Sequence, residues 1–566
     1  MTVKPINTMK KTLLSFIFIL LATTGIIAQN ITPQNGSWCV DHEKRIIVIN
    51  DMGMRSVSSL KLDDIYTLAS PLKTGQAVTA LDKSGNEYHA YLSTLPLITI
   101  NTDAEIVNSP AVHGVLTVND GSSSITVNAG FKIRGSSSQQ YDKKSYRIEL
   151  WRDSIGTSTA DTVLLGLRND DDWNLEAMAN QPLRLRDKIA NELWQEMYTL
   201  PYLDSLDTDA YSGIRMKYAD VYLNNSYIGI YTLTERVDRR QLGLKKYSTK
   251  IRGLLVKGNG TGAPSFETLP SYTNTSDIWD NFEWVYPNEA DSLIDWSSIF
   301  SVVNFVKNAS DNVFNSQYAS VFERDNIIDY YLFINALYAA DNMARNTFIA
   351  RYKRTGTYFY VPWDLDAIIG LNGNGEEDNT VTGLRTNGLY TRLLSICSTG
   401  NFIDFMQSRY SELRASLLNT EHIMEKVNEQ YNYLSDNGAY AREAEAWSDF
   451  TLNTNELNRM ATWLDDRFNY LDNELFLDCG TIGIDETTDN EVELFPNPAN
   501  DIVNINKNNN NLVTIRLFDM TGRIVMETAG SSNTIQLSTA SLPTGIYTIV
   551  INANEWHKTD RIAISR

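Results

Sequence analysis

The sequence predicts an α+β fold, because strand-like patterns dominate its first half and helical patterns dominate residues 296–475. A separate group of short strands, divided by turn signals, fills residues 492–566 and predicts a C-terminal β-sandwich. The chain has 566 residues, of which 42 % are hydrophobic and 10 % are aromatic. That composition is sufficient for a large core and predicts more than one domain.

The charge and the scarcity of metal-binding residues argue against several classes of protein. The formal net charge of −20 disfavours nucleic-acid binding through a broad basic surface. The chain has five histidines, and no two of them have the spacing of a zinc site. Its three cysteines, Cys39, Cys397 and Cys479, form no metal-binding motif and allow at most one disulfide.

The N-terminus has the pattern of a secretory signal peptide, which we place at residues 1–28. A short positive region at residues 9–11 precedes the apolar run 13–27, and Ala28 is a candidate cleavage point. Met9 is an alternative start. A membrane anchor is the competing interpretation, although the run is short for a span. No second run follows, so we expect a mature chain without a transmembrane segment, acting outside the cytoplasm.

After the signal, residues 30–93 predict a small β domain with a strand at 45–49. The next region, residues 95–475, begins with strands and then becomes helical. Its first helix is predicted at 182–197 and is opened by Asn180. The strands expected before that helix are 97–100, 114–118, 124–127, 131–134 and 145–150.

Two further strands, at 218–223 and 227–233, are joined by Asn224-Asn225, which is the signal of a tight β-hairpin. The later part of this region carries apolar residues at helical spacing. The helices expected there are 296–307, 325–340, 401–418, 420–434 and 453–475. An acidic, polar stretch at residues 482–491 then predicts a linker before the C-terminal strands.

The spacing of Asp341, Asn346 and Asp364 is the strongest functional signal in the chain. Residues 347–352 and 357–361 predict a hairpin that carries the chain away from Asn346 and returns it at Asp364. Protein kinases place a catalytic Asp, a metal-binding Asn and a second metal-binding Asp in this order. Because magnesium prefers oxygen ligands, these residue types suit phosphoryl transfer. The alternative is that they only cap a helix and open a turn.

A β-rich part followed by a helical part, with Asp341 at the start of the second, favours a two-lobed kinase-like enzyme. Upstream, Arg134 ends a strand and enters a loop of Gly and Ser, and Lys143 and Lys144 precede the next strand. Backbone N–H groups of such a loop can approach phosphate, and a nearby lysine can reach the same oxygens. The alternative is that both lysines are solvated surface charges.

Several strings, taken in order, resemble the spore coat protein H (CotH) kinase family. They are RGSSSQQYDKKSYRIEL, LLGLRNDDDWNLEAM, LRLRDKIANELW, DVYLNNSYIGIYTLTERVD, LLVKG, and DNMARN through PWDLD. The resemblance covers residues 95–475, and the shared order makes it stronger than any single string. It implies an atypical protein-kinase-like fold that uses ATP and Mg²⁺ or Mn²⁺ to phosphorylate Ser or Thr of protein substrates.

The same resemblance implies roles for individual residues. Asp341 would be the catalytic aspartate. Asn346 and Asp364 would hold metal, with Asp366 supporting or sharing that role. The residues implied at the nucleotide are Lys144 and Arg134 at the phosphates and Glu235 near the lobe junction.

Ordinary kinase signatures are missing from the chain: it has no Gly-x-Gly-x-x-Gly loop, no His-Arg-Asp string and no Asp-Phe-Gly string. An alternative interpretation is therefore a catalytically inactive, kinase-like protein with a structural or adhesive role at the cell surface. Retention of the Asp, Asn and Asp residues favours an active enzyme.

The tail resembles the C-terminal sorting domain of type IX secretion, which is typical of Bacteroidetes. The resembling strings are LFPNPA at 494–499, DMTGR at 519–523 and LPTGIY at 542–547. The resemblance implies export through the periplasm and outer membrane by the type IX machinery, with release or attachment at the surface. An ordinary terminal β module, such as a carbohydrate binder, is the alternative.

Overall fold

The computed structural model describes residues 30–202, 210–260, 265–288, 293–397, 401–476, 492–507, 512–519, 523–552 and 557–566. The predicted signal peptide, its alternative start at Met9 and the predicted linker at 482–491 lie outside the described residues. The chain divides into two compact units, Met1–Phe476 and Leu477–Arg566. No helix in these described ranges is long and apolar enough to cross a membrane.

The first unit begins with a six-stranded sheet. Its strands are β1 Trp38–Asp41, β2 Ile46–Ile49, β3 Ser59–Lys61, β4 Ile65–Leu68, β5 Ala77–Leu81 and β6 Glu87–Leu92. They lie in the order β1-β2-β6-β5-β4-β3. The sheet buries Ile47, Ile49, Leu60 and Tyr66 in its own core. Apart from a short 3-10 helical turn at Met52–Ser56, the regular structure of this part is β, as the sequence predicts.

A closed seven-stranded barrel follows. Its strands are β7 Leu97–Thr102, β8 Val112–Asn119, β9 Ser124–Arg134, β10 Ser145–Trp151, β13 Asp172–Glu176, β14 Met216–Leu223 and β15 Ser226–Thr234. A separate ribbon is formed by β11 Thr162–Val163 and β12 Asn169–Asp170. The barrel order is β10-β13-β15-β14-β7-β8-β9, and β9 pairs with β10 to close it. Its core includes Phe131, Ile148, Trp173 and Leu233.

Local sequence signals explain two features of the barrel. Asn224 and Asn225 adopt left-handed backbone angles, with φ of 50° and 65°, so the predicted tight hairpin between β14 and β15 is confirmed. The two strands predicted at 124–127 and 131–134 are instead the single strand β9. Gly130 lies within it because the Trp151 ring occupies the place of a side chain there.

The remainder of the first unit contains a five-stranded sheet and nine described helices. The strands are β16 Leu254–Asn259, β17 Ile278–Trp279, β18 Phe282–Tyr286, β19 Arg345–Arg351 and β20 Tyr358–Pro362, in the order β17-β18-β16-β19-β20. The helices are α1 Arg186–Met197, α2 Ser297–Asn308, α3 Asp311–Val321, α4 Arg324–Leu337, α5 Gly388–Ser395, α6 Phe402–Arg414, α7 Thr420–Asp436, α8 Ala439–Ala446 and α9 Asn455–Glu474.

Helix α4 is the centre of this part, since every residue from 326 to 337 is buried. The helix was expected to reach residue 340, but Tyr338 adopts a left-handed conformation with φ of 54° and ends it at Leu337. The chain then turns through 339–344 and enters β19. The end of α4 thus places Asp341 in the turn that leads into β19.

Helix α1 begins later than its predicted start at residue 182. The chain turns at Arg184, where φ is 57°, and the helix starts at Arg186. The amide oxygen of Gln181 accepts the backbone N–H of Arg186 at 2.7 Å, so Gln181 caps the first turn. Asn180, the predicted opening residue, instead directs its side chain to Asp366.

The second unit consists of two antiparallel sheets. Its strands are β21 Val492–Phe495, β22 Ile502–Lys507, β23 Val513–Phe518, β24 Ile524–Gly530, β25 Thr534–Ser538, β26 Gly545–Asn552 and β27 His557–Ile564. One sheet has the order β21-β22-β25 and the other β24-β23-β26-β27. Both contribute to one buried cluster that includes Val503, Ile505, Leu517 and Ile549. A shared core between two sheets is the arrangement of a β-sandwich.

The molecule is therefore α+β, with β structure at both ends, as predicted. The two-lobed, kinase-like arrangement of the part between those ends stays a prediction, and so do the domain limits given above.

Candidate functional site

The site is organised by the β19–β20 hairpin. Its strands pair from Thr347 opposite Pro362 to Arg351 opposite Tyr358, so the predicted hairpin is confirmed. The Trp363 N–H donates to the Asn346 carbonyl at 3.1 Å, one step beyond the paired strands. The open end of the hairpin consequently brings Asn346 beside the Trp363-Asp364 turn.

Both polar residues at this end have an unusual backbone. Asn346 and Asp364 adopt φ of 55° and 57°, a region in which Asn and Asp are tolerated better than most residues. The buried Asn342 side chain donates to the carbonyls of Asn346 and Trp363, at 2.7 and 2.8 Å, and holds the two turns together. Conformations of this kind concentrate at functional sites because the surrounding structure must maintain them.

Several carboxylates lie beyond the hairpin end, near enough for the charge of one to act on another. Burial, followed by the charges of Asp364 and Asp341, raises the pKa of Asp366 to about 7. Burial and the charges of Asp366, Asp364 and Glu176 raise the pKa of Asp187 well above its ordinary value. We call these five residues, Asp341, Asp364, Asp366, Asp187 and Glu176, the acidic cluster. Three of them were predicted from the sequence, and the other two were not.

Asp187 enters the cluster from the first turn of α1. One of its carboxylate oxygens accepts the Leu365 N–H at 2.6 Å, and the other accepts the Gln181 amide at 3.0 Å. The side chain thus fixes the main chain between Asp364 and Asp366. Arg186 and Asp187 are both buried at this helix start, which the sequence pattern does not reveal.

Glu176 enters from the last residue of β13 and forms an ion pair with Arg134, which ends β9. The Arg134 guanidinium also lies 5.7 Å from the centre of the Trp363 ring. Burial and the charge of Asp364 raise the pKa of Glu176, although Arg134 opposes them. Arg134 therefore brings positive charge to the acidic cluster.

Asp366 and Asp341 differ in their surroundings. Asn180 donates its side-chain amide to Asp366 at 2.5 Å, which orients that carboxylate. Asp341 is 35 % exposed and pairs with Arg345, with 3.3 Å between Nε and Oδ1. A cavity opens beside Asp341, lined in part by Tyr338, Gly370 and Gly373. Of these two aspartates, Asp341 is the one that can reach a molecule in that cavity.

Two predicted site residues have contacts elsewhere. The Lys144 ammonium donates to the carbonyls of Gln139 and Tyr141, at 2.8 and 2.5 Å, and so closes the Gly-Ser loop. Glu235 is fully buried. Its carboxylate accepts hydrogen bonds from the backbone of Arg168 and Arg215 and from side chains including the Arg215 guanidinium. These contacts tie both residues to the barrel, and their roles at a nucleotide stay predictions.

A tight carboxylate group lies apart from the acidic cluster. Among the described residues, oxygens of Asp161, Asp170 and Asp171 all come within 4.8 Å of one another. The Arg240 guanidinium already contacts all three carboxylates, at 2.5, 3.0 and 3.2 Å. That cation supplies the charge that a metal would bring, so we assign this group a structural role.

Comparison with known proteins was consistent with both resemblances. The family model described as CotH kinase protein matches residues 131–471, and the secretion system C-terminal sorting domain model matches residues 493–565. No curated protein matches the chain. One similar solved structure is a DUF3244 family protein with an immunoglobulin-like β-sandwich fold from Bacteroides vulgatus. It is 22 % identical over 13 % of this chain and 84 % of that chain, with a TM-score of 0.12.

The sorting domain indicates export by type IX secretion, to the cell surface or the medium. Cys397 is disulfide-bonded, which suits a protein outside the reducing cytoplasm. The kinase family model spans more than half of the chain, from within β9 to within α9. The chain therefore belongs to the CotH kinase protein family.

Proposed function

We propose that this exported protein transfers the γ-phosphoryl group of ATP to Ser or Thr side chains of proteins, with a divalent cation. The observation that carries the proposal is the acidic cluster at the open end of the β19–β20 hairpin. There the charges of Asp364 and Asp341 both act on the buried Asp366 carboxylate. Phosphoryl transfer depends mainly on positioning and charge neutralisation, which such a cluster supports.

The donor set fits Mg²⁺ or Mn²⁺. Asp364, Asp366 and the Asn346 amide offer oxygen atoms, which these hard cations prefer. Burial and the nearby charges of Asp364 and Asp341 raise the pKa of Asp366, and a bound cation would offset both effects. When bound, the metal would neutralise phosphate charge and orient the β- and γ-phosphates. In this proposal Asp187 acts by holding the Leu365 N–H, and Asn180 by orienting Asp366.

Asp341 is assigned to the acceptor. Its carboxylate is partly exposed and borders the cavity, so it can accept a hydrogen bond from an acceptor hydroxyl and take up its proton. Arg345 pairs with it, with 3.3 Å between Nε and Oδ1. Arg134 is assigned to the phosphates. Its guanidinium contacts Glu176 of the acidic cluster and the ring of Trp363, which precedes Asp364.

A labelled-phosphate assay tests the proposal. The mature protein is incubated with ATP labelled at the γ position, with and without Mg²⁺ or Mn²⁺, and melting temperatures are recorded under the same conditions. We expect a rise in melting temperature that needs both ATP and metal, and transfer of label to protein. Asp341→Asn should keep the rise in melting temperature and lose the transfer, because it leaves the proposed metal ligands in place.

The outcomes separate the two interpretations of the fold. Wild-type protein that binds ATP and metal yet transfers no label would favour an inactive, kinase-like surface protein. The absence of the ordinary kinase motifs from the sequence supports the same interpretation. Folded protein that shows no response to ATP under any metal condition would contradict the kinase proposal altogether. Full transfer by Asp341→Asn would show that another residue is the catalytic base.

A further inference from the structure

A group of cations lies at the closed end of the β19–β20 hairpin, which is the end away from the acidic cluster. The chain from Arg239 to Arg252, which leads into β16, contains no aspartate or glutamate, and neither does the hairpin segment 347–357. We propose that cations of these two segments dock the protein onto the phosphate headgroups of a membrane surface. The six residues concerned, which we call the basic patch, are Lys245, Lys246, Lys250, Arg252, Lys353 and Arg354.

Backbone hydrogen bonds bring the two segments together. The pairing of β16 with β19 starts where Leu254 lies opposite Arg351. Just beyond that pair, the Lys245 N–H donates to the Tyr352 carbonyl at 3.0 Å, and the Gly253 N–H donates to the Lys245 carbonyl at 3.0 Å. The loop that starts at Lys245 therefore closes on itself beside the hairpin turn, and the cations of both segments are neighbours.

The charge of the basic patch is not neutralised by the protein around it. Among the residues that the structure describes, no carboxylate forms an ion pair with any of the six cations. Five of them are exposed, and the half-buried Lys245 places its ammonium 5.0 Å from the centre of the Tyr352 ring. Beside the hairpin, Glu323 uses its carboxylate to accept the Thr357 hydroxyl at 3.0 Å.

The basic patch is an exception in a chain whose net charge is −20. At about 0.1 M salt, charges more than about 10 Å apart are largely screened from each other. The acidic remainder of the molecule therefore does not cancel the attraction of the patch for an anion in contact with it. It does disfavour contact of the other faces with an anionic surface, so the patch also sets the orientation.

The patch lacks the features by which proteins and nucleic-acid bases are recognised. Protein interfaces have an apolar or aromatic centre, and no exposed large hydrophobic side chain belongs to either of these described segments. The Tyr352 ring is 6 % exposed and stacks on the Tyr202 ring, with 4.0 Å between the centroids, so it offers no face to a base. Charge alone is left for recognition.

A membrane with phosphate headgroups fits a surface that binds by charge. Each lysine or arginine near an anionic lipid surface adds to the attraction, and no precise geometry is needed. The sorting domain exports this protein to the cell surface or the medium, so it meets such a surface as it leaves the cell. Docking at the patch would hold the acidic cluster about 20 Å from the headgroups, because β19 has seven residues. The inference does not depend on phosphoryl transfer.

Vesicle flotation with the mature, full-length protein tests the proposal. One probe is vesicles of phosphatidylcholine alone, and the other is vesicles in which about one third of the lipid is phosphatidylglycerol. The patch variant carries Lys246→Gln, Lys250→Gln and Lys353→Gln. The matched control neutralises three exposed lysines elsewhere in the first unit and changes the net charge equally. Its substitutions are Lys61→Gln, Lys73→Gln and Lys217→Gln.

Wild type should bind the anionic vesicles at about 0.1 M salt, leave them at about 1 M salt, and not bind the neutral vesicles. Each lysine near an anionic surface contributes about fivefold to binding, so the patch variant should lose about a hundredfold in affinity. The control should match wild type. Exchange of the same three patch lysines for arginine should preserve binding, because the charge is kept. All variants should melt close to wild type, since exposed positions seldom affect stability.

Three results would overturn the proposal. The first is equal binding of wild type to anionic and neutral vesicles. The second is an equal loss of affinity in the control, because binding would then follow the net charge and not the patch. The third comes from titrating wild type with a DNA duplex and with polyglutamate. Binding to either of these without binding to vesicles would assign the patch to another polyanion.

Discussion

Asp364 combines a left-handed backbone with a crowded carboxylate, and both features cost folding free energy. With φ of 57° the residue occupies a region that only glycine adopts freely. Its charge also acts on Asp366, Asp187 and Glu176, whose pKa values are raised. A residue kept under such conditions has a use that outweighs its cost to stability.

We therefore expect Asp364→Gly to increase stability while removing the metal response. The substitution relieves the backbone strain and one negative charge, so the free energy of unfolding without ligand should rise by up to about 1 kcal/mol. The melting shift produced by ATP and Mg²⁺ should disappear. Thermal melts of both proteins, with and without ligand, provide the measurement. A variant that is less stable than wild type would indicate that Asp364 serves the turn alone.

Lys143 offers a separate prediction, on pH. Its ammonium is buried, donates to Glu443 at 2.5 Å and to the Ile230 carbonyl at 2.7 Å, and burial lowers its pKa to about 7. In the unfolded chain the lysine keeps its proton to its ordinary pKa of 10.5. Between pH 7 and pH 10.5 the unfolded chain binds more protons at Lys143 than the folded chain does. The contribution of Lys143 to the free energy of unfolding therefore rises with pH in this range. Below pH 7 both forms are protonated and that contribution is constant.

Lys143→Met should remove this pH dependence. We expect the melting temperature of wild type, measured relative to the variant, to increase from pH 7 to pH 9 and to stay level between pH 6 and pH 7. The comparison cancels other titrating groups, which both proteins share. A difference that stays constant to pH 9 would mean that the lysine keeps its charge in the folded protein, through its contact with Glu443.

The sequence indicated some residues of the candidate site and missed others. Asp341, Asn346 and Asp364 were predictable because their separation matches a hairpin, and a hairpin is a local structure. Asp187 and Glu176 lie well upstream and reach the cluster only through tertiary packing of α1 and β13 against the hairpin end. No spacing rule connects them to Asp364, so the sequence alone left them out of the cluster.

At the level of elements, α8 is a short helix that joins three parts of the first unit. Arg442 pairs with Asp220 of the barrel at 2.8 Å, and both side chains are fully buried. The Glu443 carboxylate accepts hydrogen bonds from the Lys143 ammonium, from the Arg184 guanidinium at 3.1 Å and from the Ile230 N–H at 2.8 Å. Its pKa is held below the ordinary value by those two cations, against the effect of burial. Arg184 links this helix to the site. Its guanidinium donates to the Ala179 carbonyl, and the side chain of the next residue, Asn180, donates to Asp366.

Glu443→Gln should consequently be one of the most damaging changes in the chain. It would leave Lys143 and Arg184 buried with less negative charge, and removing one partner of a buried ion pair typically costs about 3–5 kcal/mol. Glu445→Gln on the same helix is the control, because the Glu445 side chain is 28 % exposed and its carboxylate contacts His89 and Tyr91 of β6 and no buried cation. We expect a loss of about 0–1 kcal/mol there. If both substitutions lowered the free energy of unfolding equally in denaturant, the role given to Glu443 with Lys143 and Arg184 would be refuted.

Elements differed in how well the sequence predicted them. The hairpins β14–β15 and β19–β20 were predictable because turn residues and strand propensity act within a few residues. Helix α8, AYAREAEA, was missed because it buries charged residues instead of an apolar stripe. The start of α1 was misplaced because Asn180 has the residue type of a helix cap but uses its amide on Asp366.

On the scale of the whole molecule, the N-terminal sheet is attached to the barrel and does not act as a loose spacer. Cys39, Ile46 and Val48 share a buried cluster with Tyr222 and Tyr227 of the barrel. The Asp41 carboxylate accepts the Tyr227 N–H at 2.8 Å, and Lys44 donates to the Tyr227 carbonyl at 3.0 Å. Composition indicated more than one domain, yet contacts between distant strands decide which of them are independent, and those contacts have no signature in the sequence.

The C-terminal unit is the part that we expect to be removable. Residues 492–566 bury their own apolar core between two sheets, and the division into compact units falls between Phe476 and Leu477. A protein of residues 30–480 should therefore fold, with a main circular dichroism melting transition within a few degrees of the full chain, since few contacts cross such a boundary.

In the cell, the truncated protein should remain in the periplasm, because the sorting domain is missing. An insoluble product, or one without a cooperative transition, would mean that the tail completes the core of the first unit. Normal export of the truncated protein would mean that another segment carries the sorting signal.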